Sequence, residues 1–318
     1  MSKIELRLSD VEPPLPEPKR TIYRDIVNLP STVKLGLTIR YFNHDDVDLY
    51  FQITGSGTGY TFGTVNLGLL ASGADAYQNL DEFASRAKPS ASDLPDGEME
   101  ENITLILKAY TDSGYSNLKW TYERIVTVHW INSTDAAFTV DELDNFDDGT
   151  VQGWAAVMEQ NNDIGFPTIA VATDYVLSTQ YSCKMTQQYT KDYTLSDLVA
   201  QVRSRLYKSF STPNKTKVFA IIDVRISGTF SAGTYEVYQK DLKIQKNSDV
   251  LVFLGRGYDT VLNDYVPKNK WMRIVVPLPA NTTIELRIIQ EVLYRSYYTG
   301  LQTFNAWLWL DDFKLLSK

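Results

Sequence analysis

The stretch that decides the fold is "FNAWLWLDDFKLLSK", residues 304–318. Its side chains alternate between two faces: Phe304, Ala306, Leu308, Leu310 and Asp312 on one, and Trp307, Trp309, Asp311 and Phe313 on the other. This period of two predicts a β-strand that is apolar on both faces, as expected within a packed sheet. An isolated buried carboxylate is costly, so at least one of Asp311 and Asp312 should be solvated at the strand end or paired with a cation.

Similar alternation occurs upstream in "STVKLGLTIRYF" (31–42), "VDLYFQI" (47–53) and "ENITLILKAYTDSGYSNLKWTYERIVTVHWI" (101–131). Strands with tight polar turns between them predict a first domain, residues 20–135, that is an antiparallel β-sandwich of immunoglobulin-like size. His129 lies on one of these strands, where a lone histidine is more often packed than a ligand.

A second β-sandwich, residues 136–318, is predicted from further alternating runs such as "KVFAIIDVRISG" (217–228) and "WMRIVVPLP" (271–279). The fold class is therefore all-β, with two tandem antiparallel sandwiches that meet near residues 133–143. Two short helices are expected. One is at 77–87, where the strand rhythm is broken, and the other is at 195–210, where apolar residues recur at helical spacing and Ser196 is a candidate N-terminal cap.

Composition excludes several classes of function. The net charge is −8 and no long Lys/Arg block occurs, which argues against nucleic-acid binding. Cys183 is the one cysteine, so an internal disulfide and a cysteine zinc site are excluded, and only His44 and His129 offer imidazoles. No run of about 18 apolar residues predicts a membrane span, and the N-terminus has no apolar signal region, so we expect a soluble protein made inside a cell.

Residues 1–19 contain "PPLPEP" (13–18), whose prolines fix φ and remove backbone donors. They predict either an extended arm that docks on a neighbouring subunit or a disordered tail, and the sequence leaves both open.

The second half resembles the jelly-roll carbohydrate-binding modules. The matching segments, in order, are "FDDGTVQGW" (146–154), "YSCKM" (181–185), "WMRIVVPL" (271–278) and "LWLDDFKL" (308–315). The resemblance implies a jelly roll in which the first and last strands meet. It also implies a structural calcium ion held by an acid from each of these strands, which correspond here to Asp147 and Asp312. The alternative is that the closing acids reach solvent or pair with Lys or Arg.

Sugar binding in such modules uses exposed aromatic rings. The candidates in this half are Trp154, Trp271, Trp307, Trp309, Tyr258, Tyr265, Tyr297 and Tyr298. Most of the tryptophans alternate with core positions, so burial is expected for each of them. The loop at 255–270, with Tyr258 and Tyr265 near acids and amides, is the expected glycan-binding site.

No catalytic motif occurs. The segment "ELDNFD" (142–147) approximates the acidic strand of jelly-roll glucanases but ends in Asp147 instead of Glu, so no enzyme and no cofactor besides calcium is expected. Four glycosylation sequons begin at Asn102, Asn132, Asn214 and Asn281.

The leading expectation is a virion structural protein, such as a spike, turret or capsid-associated subunit, assembled as a homo-oligomer or with other particle subunits. The grounds are tandem sandwiches, a proline-rich arm, many tyrosines and a general similarity to structural proteins of archaeal viruses. The alternative is a carbohydrate-binding or adhesion module at a cell surface or outside the cell. The two overlap if a spike binds host glycans.

Overall fold

The computed structural model describes residues 3–8, 20–27, 29–160, 167–177, 180–193, 198–230, 234–247, 249–254, 271–296 and 300–318. The chain divides into two compact units, Met1–Ala137 and Phe138–Lys318. Strands dominate both units, so the protein is all-β. Within the described ranges no helix has the length and apolar character needed to cross a membrane.

The described part of the first unit contains nine strands in two sheets. They are β1 (Ile4–Leu8), β2 (Arg20–Asp25), β3 (Thr32–Asn43), β4 (Leu49–Ser56), β5 (Tyr60–Phe62), β6 (Val65–Leu70), β7 (Asp75–Ala87), β8 (Glu98–Tyr110) and β9 (Leu118–Ile131). The sheet orders are β1-β3-β7-β5 and β2-β9-β8-β4-β6. The paired strands run antiparallel except β2, which lies parallel to β9 and so departs from the purely antiparallel expectation.

The core of this unit is formed by apolar side chains at every second position of its strands. Leu49, Phe51 and Ile53 of β4 are fully buried and share the core with Ile103 and Leu105 of β8. Residues between them turn to the outer face, as the pleat of a strand requires.

The helix expected at 77–87 is wrong, because this segment is β7, paired with β3. The register shows Leu35 opposite Ala84 and Leu37 opposite Leu80, so three residues of β7 face one residue of β3 in a bulge. A bulge shifts the phase of the strand and places buried residues four apart, which imitates helical spacing. Helical turns in this region are limited to the 3-10 segments Ala91–Asp93 and Pro95–Gly97.

The expected N-terminal arm lies partly within this fold. Ile4–Leu8 pairs with β3 as an extended strand, and Ile4 and Leu6 are buried in the core. These residues therefore belong to the first sandwich and not to a free arm. Residues 9–19, with the prolines, lie outside the described residues.

The second unit holds eleven strands within its described ranges. They are β10 (Thr139–Asp144), β11 (Ala155–Gln160), β12 (Thr168–Ala172), β13 (Ser182–Tyr193), β14 (Leu198–Ser211), β15 (Val218–Phe230), β16 (Thr234–Lys246), β17 (Asp249–Leu254), β18 (Trp271–Leu278), β19 (Thr283–Ser296) and β20 (Gly300–Ser317). One sheet has the order β12-β13-β20-β15-β18, with β10 also paired to β20, and the other has the order β11-β14-β19-β16-β17.

The helix expected at 195–210 is also wrong, since β14 occupies most of it and pairs with β11 and β19. Leu206 and Phe210 are core residues, and the inward position before them is Ser204, which is fully buried. The Ser204 hydroxyl donates to Gln187 Oε1 at 2.6 Å. This polar residue in the core interrupts the apolar alternation that would have marked a strand. The predicted cap, Ser196, lies outside the described residues.

Candidate functional site

The two acids of the closing strand lie in a β-bulge. Ile222 pairs with Phe313 and Val224 with Leu310, so Asp311 and Asp312 together face the single residue Asp223. The bulge changes which residues face the core, and Phe313 joins Leu308 and Leu310 there. The strict alternation expected for this strand is therefore wrong after Leu310.

Asp312 and Asp223, two of the three acids in the bulge, each lie beside a cation. Lys314 Nζ lies 3.3 Å from Asp312 Oδ2. Arg273 donates twice to Asp223, from Nε to Oδ1 at 2.8 Å and from Nη2 to Oδ2 at 2.5 Å. Burial raises the pKa of Asp223 above its ordinary value, with a further contribution from the charge of Asp312, and Arg273 opposes both.

The acid predicted to share calcium, Asp147, is exposed. It accepts hydrogen bonds from Asn145 Nδ2 and from the backbone N–H of Gln180, each at 3.1 Å. Calcium takes six to eight oxygen ligands, and among the described residues no group of three or more His, Cys, Asp or Glu gathers around one point. These neighbours fit hydrogen bonds and a salt bridge better than an ion, and calcium binding stays a prediction that chelation can test.

Asp144, three residues before the exposed Asp147, is buried. Trp154 Nε1 donates to Asp144 Oδ2 at 2.9 Å, and Lys208 Nζ lies 2.8 and 2.7 Å from the two carboxylate oxygens. Burial raises the pKa of Asp144, against the effect of Lys208. Phe146 and Trp154 are core residues, so the segment 146–154 builds the sandwich.

Other predicted site residues are distributed over the chain. Tyr258, Tyr265, Tyr297 and Tyr298 lie outside the described residues. Among the sequons, Asn102, Asn214 and Asn281 are exposed, whereas Asn132 is buried and its Oδ1 accepts from the hydroxyl of Thr134.

An aromatic and charged surface lies on the outer face of the sheet that contains β20. Trp307 and Trp309 face away from the core because they alternate with Leu308 and Leu310. In register, Trp309 lies between Lys184 of β13 and Arg225 of β15, and Trp307 lies between Thr186 and Ser227. We call this surface the tryptophan face, formed by Trp307, Trp309, Tyr175, Asp174, Lys184 and Arg225.

The rings and cations of the tryptophan face are in contact. Tyr175 packs edge-on against Trp309, with centroids 5.0 Å apart, and Trp307 lies 6.2 Å from Trp309. The guanidinium of Arg225 is 3.9 Å from the centroid of Tyr175, and Lys184 Nζ is 4.9 Å from that of Trp309. Such cation–π contacts hold the rings in place.

The aromatic rings of the tryptophan face differ in how much of each is exposed to solvent. Trp309 is 2% exposed under Tyr175, whereas Tyr175 is 43% exposed and Trp307 is half-buried. The expected burial is therefore confirmed for Trp309 and Trp154 and is wrong for Trp271 and Trp307, which are half-buried. Tyr175 and Trp307 are the rings that a ligand can reach.

Asp174 fixes this arrangement from the loop before β13. Its carboxylate accepts from Trp309 Nε1 at 3.1 Å and lies 2.5 Å from Lys184 Nζ. Burial raises the pKa of Asp174, but the hydrogen bonds from Lys184 and Trp309 outweigh it and hold that pKa below its ordinary value. The Asp174 carboxylate is therefore ionised at neutral pH.

The sequence contained a partial signal for this site. Alternation in the sequence places Trp307 and Trp309 on one strand face, but it does not connect this face with the loop residues Asp174 and Tyr175 or with the cations Lys184 and Arg225. Only the pairing of β13 and β15 with β20 brings them together.

No protein-family model and no curated protein sequence matches this chain. Among solved structures, a carbohydrate-binding module of the β-sandwich superfamily, described as promiscuous in specificity, shares 13% identity over 98% of this chain and 97% of that one (TM-score 0.30). A module in complex with β-1,4-galactotriose shares 12% identity over 55% of this chain and 94% of that one (TM-score 0.29).

A cleaved adhesin domain of Lys-gingipain from Porphyromonas gingivalis shares 11% identity over 56% of this chain and 98% of that one, with a TM-score of 0.30. TM-scores this low show neither a shared family nor a shared site. The function is therefore argued from the tryptophan face itself.

Proposed function

We propose that the protein is a non-enzymatic glycan-binding protein and that the tryptophan face of its second unit is the binding surface. The observation that carries this proposal is the position of Trp307, a half-buried indole on the outer face of a sheet. It lies 6.2 Å from Trp309, against which the exposed ring of Tyr175 packs. The apolar C–H surface of a sugar ring packs well on such aromatic rings.

The polar groups around Trp307 support the same function. Thr186 and Ser227 flank it in register, and Asn305 and the exposed Gln188 are paired one row further along. Hydroxyls and amides both donate and accept, as sugar hydroxyls do, so each can replace a water that solvates the sugar. The site thus combines a stacking surface with hydrogen-bond partners on a rigid sheet.

The fixed base of the site supports binding without large rearrangement. Trp309 is buried under Tyr175 and held by Asp174, which lowers the entropy lost when a ligand packs on the surface.

A substitution tests this proposal directly. We expect Trp307→Ala in the full chain to weaken retention on immobilised polysaccharides about tenfold or more, because it removes the stacking surface. The measurement is affinity electrophoresis on a panel of soluble glucans, mannans, galactans and xylans. Tyr207→Ala is the matched control, since Tyr207 lies on the outer face of the opposite sheet, near Arg205. Equal retention of Trp307→Ala and wild type would refute the proposal.

The virion role expected from the sequence stays a prediction, because no described contact or comparison favours it over glycan binding. Sedimentation of the full chain measures it: a closed oligomer would favour a particle subunit, and a monomer retained on polysaccharide would favour a binding module.

A further inference from the structure

We infer that the first unit carries a second binding face, separate from the tryptophan face, for neutral oligosaccharides. It lies on the outer face of the sheet β2-β9-β8-β4-β6. We call it the tyrosine face, formed by Tyr50, Tyr110, Tyr115, Gln52 and Asn66. It does not depend on the proposed function of the second unit, because it rests on different residues in a different unit.

Strand alternation places these residues together. Leu49, Phe51 and Ile53 of β4 face the core, so Tyr50 and Gln52 face outward, and Ala109 of β8 faces the core, so Tyr110 faces outward. The register sets Tyr50 opposite Tyr110. Tyr50 also pairs with Leu69, and Tyr110 pairs with Leu118; both leucines are more than half exposed and extend the apolar surface.

The rings form a corner and not a flat stack. Tyr115 is nearly perpendicular to both neighbours, at 80° and 6.3 Å from Tyr50 and at 85° and 5.5 Å from Tyr110. Tyr110 is 6% exposed, whereas Tyr50 and Tyr115 are half-buried. Tyr110 therefore acts as the base, and the other two rings supply surfaces on which the C–H groups of a sugar can pack.

A chain of hydrogen bonds fixes the polar groups beside these rings. Tyr110 Oη donates to Gln52 Oε1 at 3.3 Å, and Gln52 Nε2 donates to Asn66 Oδ1 at 2.8 Å. Asn66 is exposed and brings an amide with two N–H donors to the edge of the face. These groups are uncharged, which matches the hydroxyls of a neutral sugar.

The loop that carries Tyr115 is held in place. The carboxylate of Asp112 accepts from the backbone N–H groups of Gly114, Ser116 and Asn117, at 3.0, 3.2 and 2.7 Å, and from the Ser116 hydroxyl at 3.0 Å. Tyr115 itself has φ 54, a left-handed conformation that is unfavourable for a tyrosine. The surrounding bonds maintain this conformation, so the ring is positioned before a ligand binds.

The experiment uses the full chain and isothermal titration with glucan, mannan, galactan and xylan oligosaccharides. Tyr115→Asn removes the ring while keeping a residue that tolerates positive φ. Thr121→Ala is the control, because Thr121 is exposed on the same outer face, one row from Tyr50 and opposite Lys108. In a Trp307→Ala background we expect residual binding, which Tyr115→Asn weakens about tenfold or more and Thr121→Ala leaves unchanged.

Each outcome decides between the two sites. If Trp307→Ala alone abolishes binding and Tyr115→Asn has no effect, the tyrosine face is refuted and the proposed function stands. If Tyr115→Asn weakens binding and Trp307→Ala does not, the tyrosine face stands and the proposed function falls. Absence of any oligosaccharide binding by the wild-type chain refutes the tyrosine face. The tyrosine face is also refuted if Tyr115→Asn changes the sedimentation of the chain but not its titration with oligosaccharides, because that result indicates a protein interface.

Discussion

At the residue scale, three buried acids of the second unit, Asp144, Asp223 and Asp312, are each held beside a cation. Asp223 is fully buried and bound twice by Arg273, and Asp144 is bound by Lys208 and Trp154. A buried ion pair contributes little net stability compared with apolar residues of the same size, but the loss of one partner leaves an unbalanced charge.

We therefore expect Arg273→Ala to lower the free energy of unfolding by about 3–5 kcal/mol at neutral pH. The folded-state pKa of Asp223 is already raised by burial, and removal of Arg273 raises it further. An acid with a raised pKa destabilises the fold when ionised, so the variant should regain stability as the pH falls towards that pKa. Urea unfolding at several pH values measures this, with Arg273→Lys as control; an equal loss at every pH would contradict the explanation.

In the first unit, Asp45 has the opposite pKa shift. Hydrogen bonds from Lys119 Nζ at 2.9 Å, from the N–H of Asp46 and from Trp120 Nε1 hold its pKa well below the ordinary value of 3.8. A lowered folded-state pKa adds stability above the ordinary pKa, and that stability is lost as the pH falls below it. We expect Asp45→Asn to lose less unfolding free energy than wild type between about pH 5 and about pH 3. Identical pH profiles would contradict this assignment.

At the scale of single elements, strand periodicity was a sound guide only where no bulge or buried polar residue interrupted it. The regular strands β4 and β8 follow their sequence pattern, whereas the bulge in β7 and the buried Ser204 in β14 each imitated a helix. The bulge in β20 reversed the predicted face of Phe313. Bulges depend on the partner strand, so the local sequence does not reveal them.

The hydrogen bond between Ser204 of β14 and Gln187 of β13 provides a test at this scale. Ser204→Ala should lower the free energy of unfolding by about 1–3 kcal/mol, because it leaves the buried amide of Gln187 without this hydrogen bond. The double variant Ser204→Ala with Gln187→Met should recover most of that loss, since both polar groups are then removed. Thermal unfolding measures both. A double variant less stable than the single one would contradict this interpretation.

The first strand gives a second test. Deletion of residues 2–8 removes β1 and uncovers the edge of β3, together with the core sites filled by Ile4 and Leu6. We expect the first unit to unfold at a clearly lower temperature and the transition of the second unit to remain in place. Calorimetry of the full chain resolves the two transitions. An unchanged first transition would instead support a detachable arm.

At the scale of the whole molecule, two β-sandwich units each carry aromatic rings on one outer sheet face. The sequence predicted the all-β class and the two apolar cores, because these follow from composition and alternation. It did not predict either aromatic face, because the residues of each face lie on strands that are distant in the sequence. Trp309 joins Lys184 and Arg225 only through the pairing of β20 with β13 and β15.

The most direct test of the central claim is a titration followed by the indole N–H signals of the six tryptophans. Wild-type chain labelled with ¹⁵N is titrated with the glycan that it retains, and the Trp307 signal is assigned from its loss in Trp307→Phe. The account predicts a saturable shift of Trp307 and a smaller shift of its neighbour Trp309, while the core residues Trp130 and Trp154 stay unchanged. Saturable binding that leaves the Trp307 signal unmoved would contradict the assignment of the tryptophan face as the glycan-binding surface.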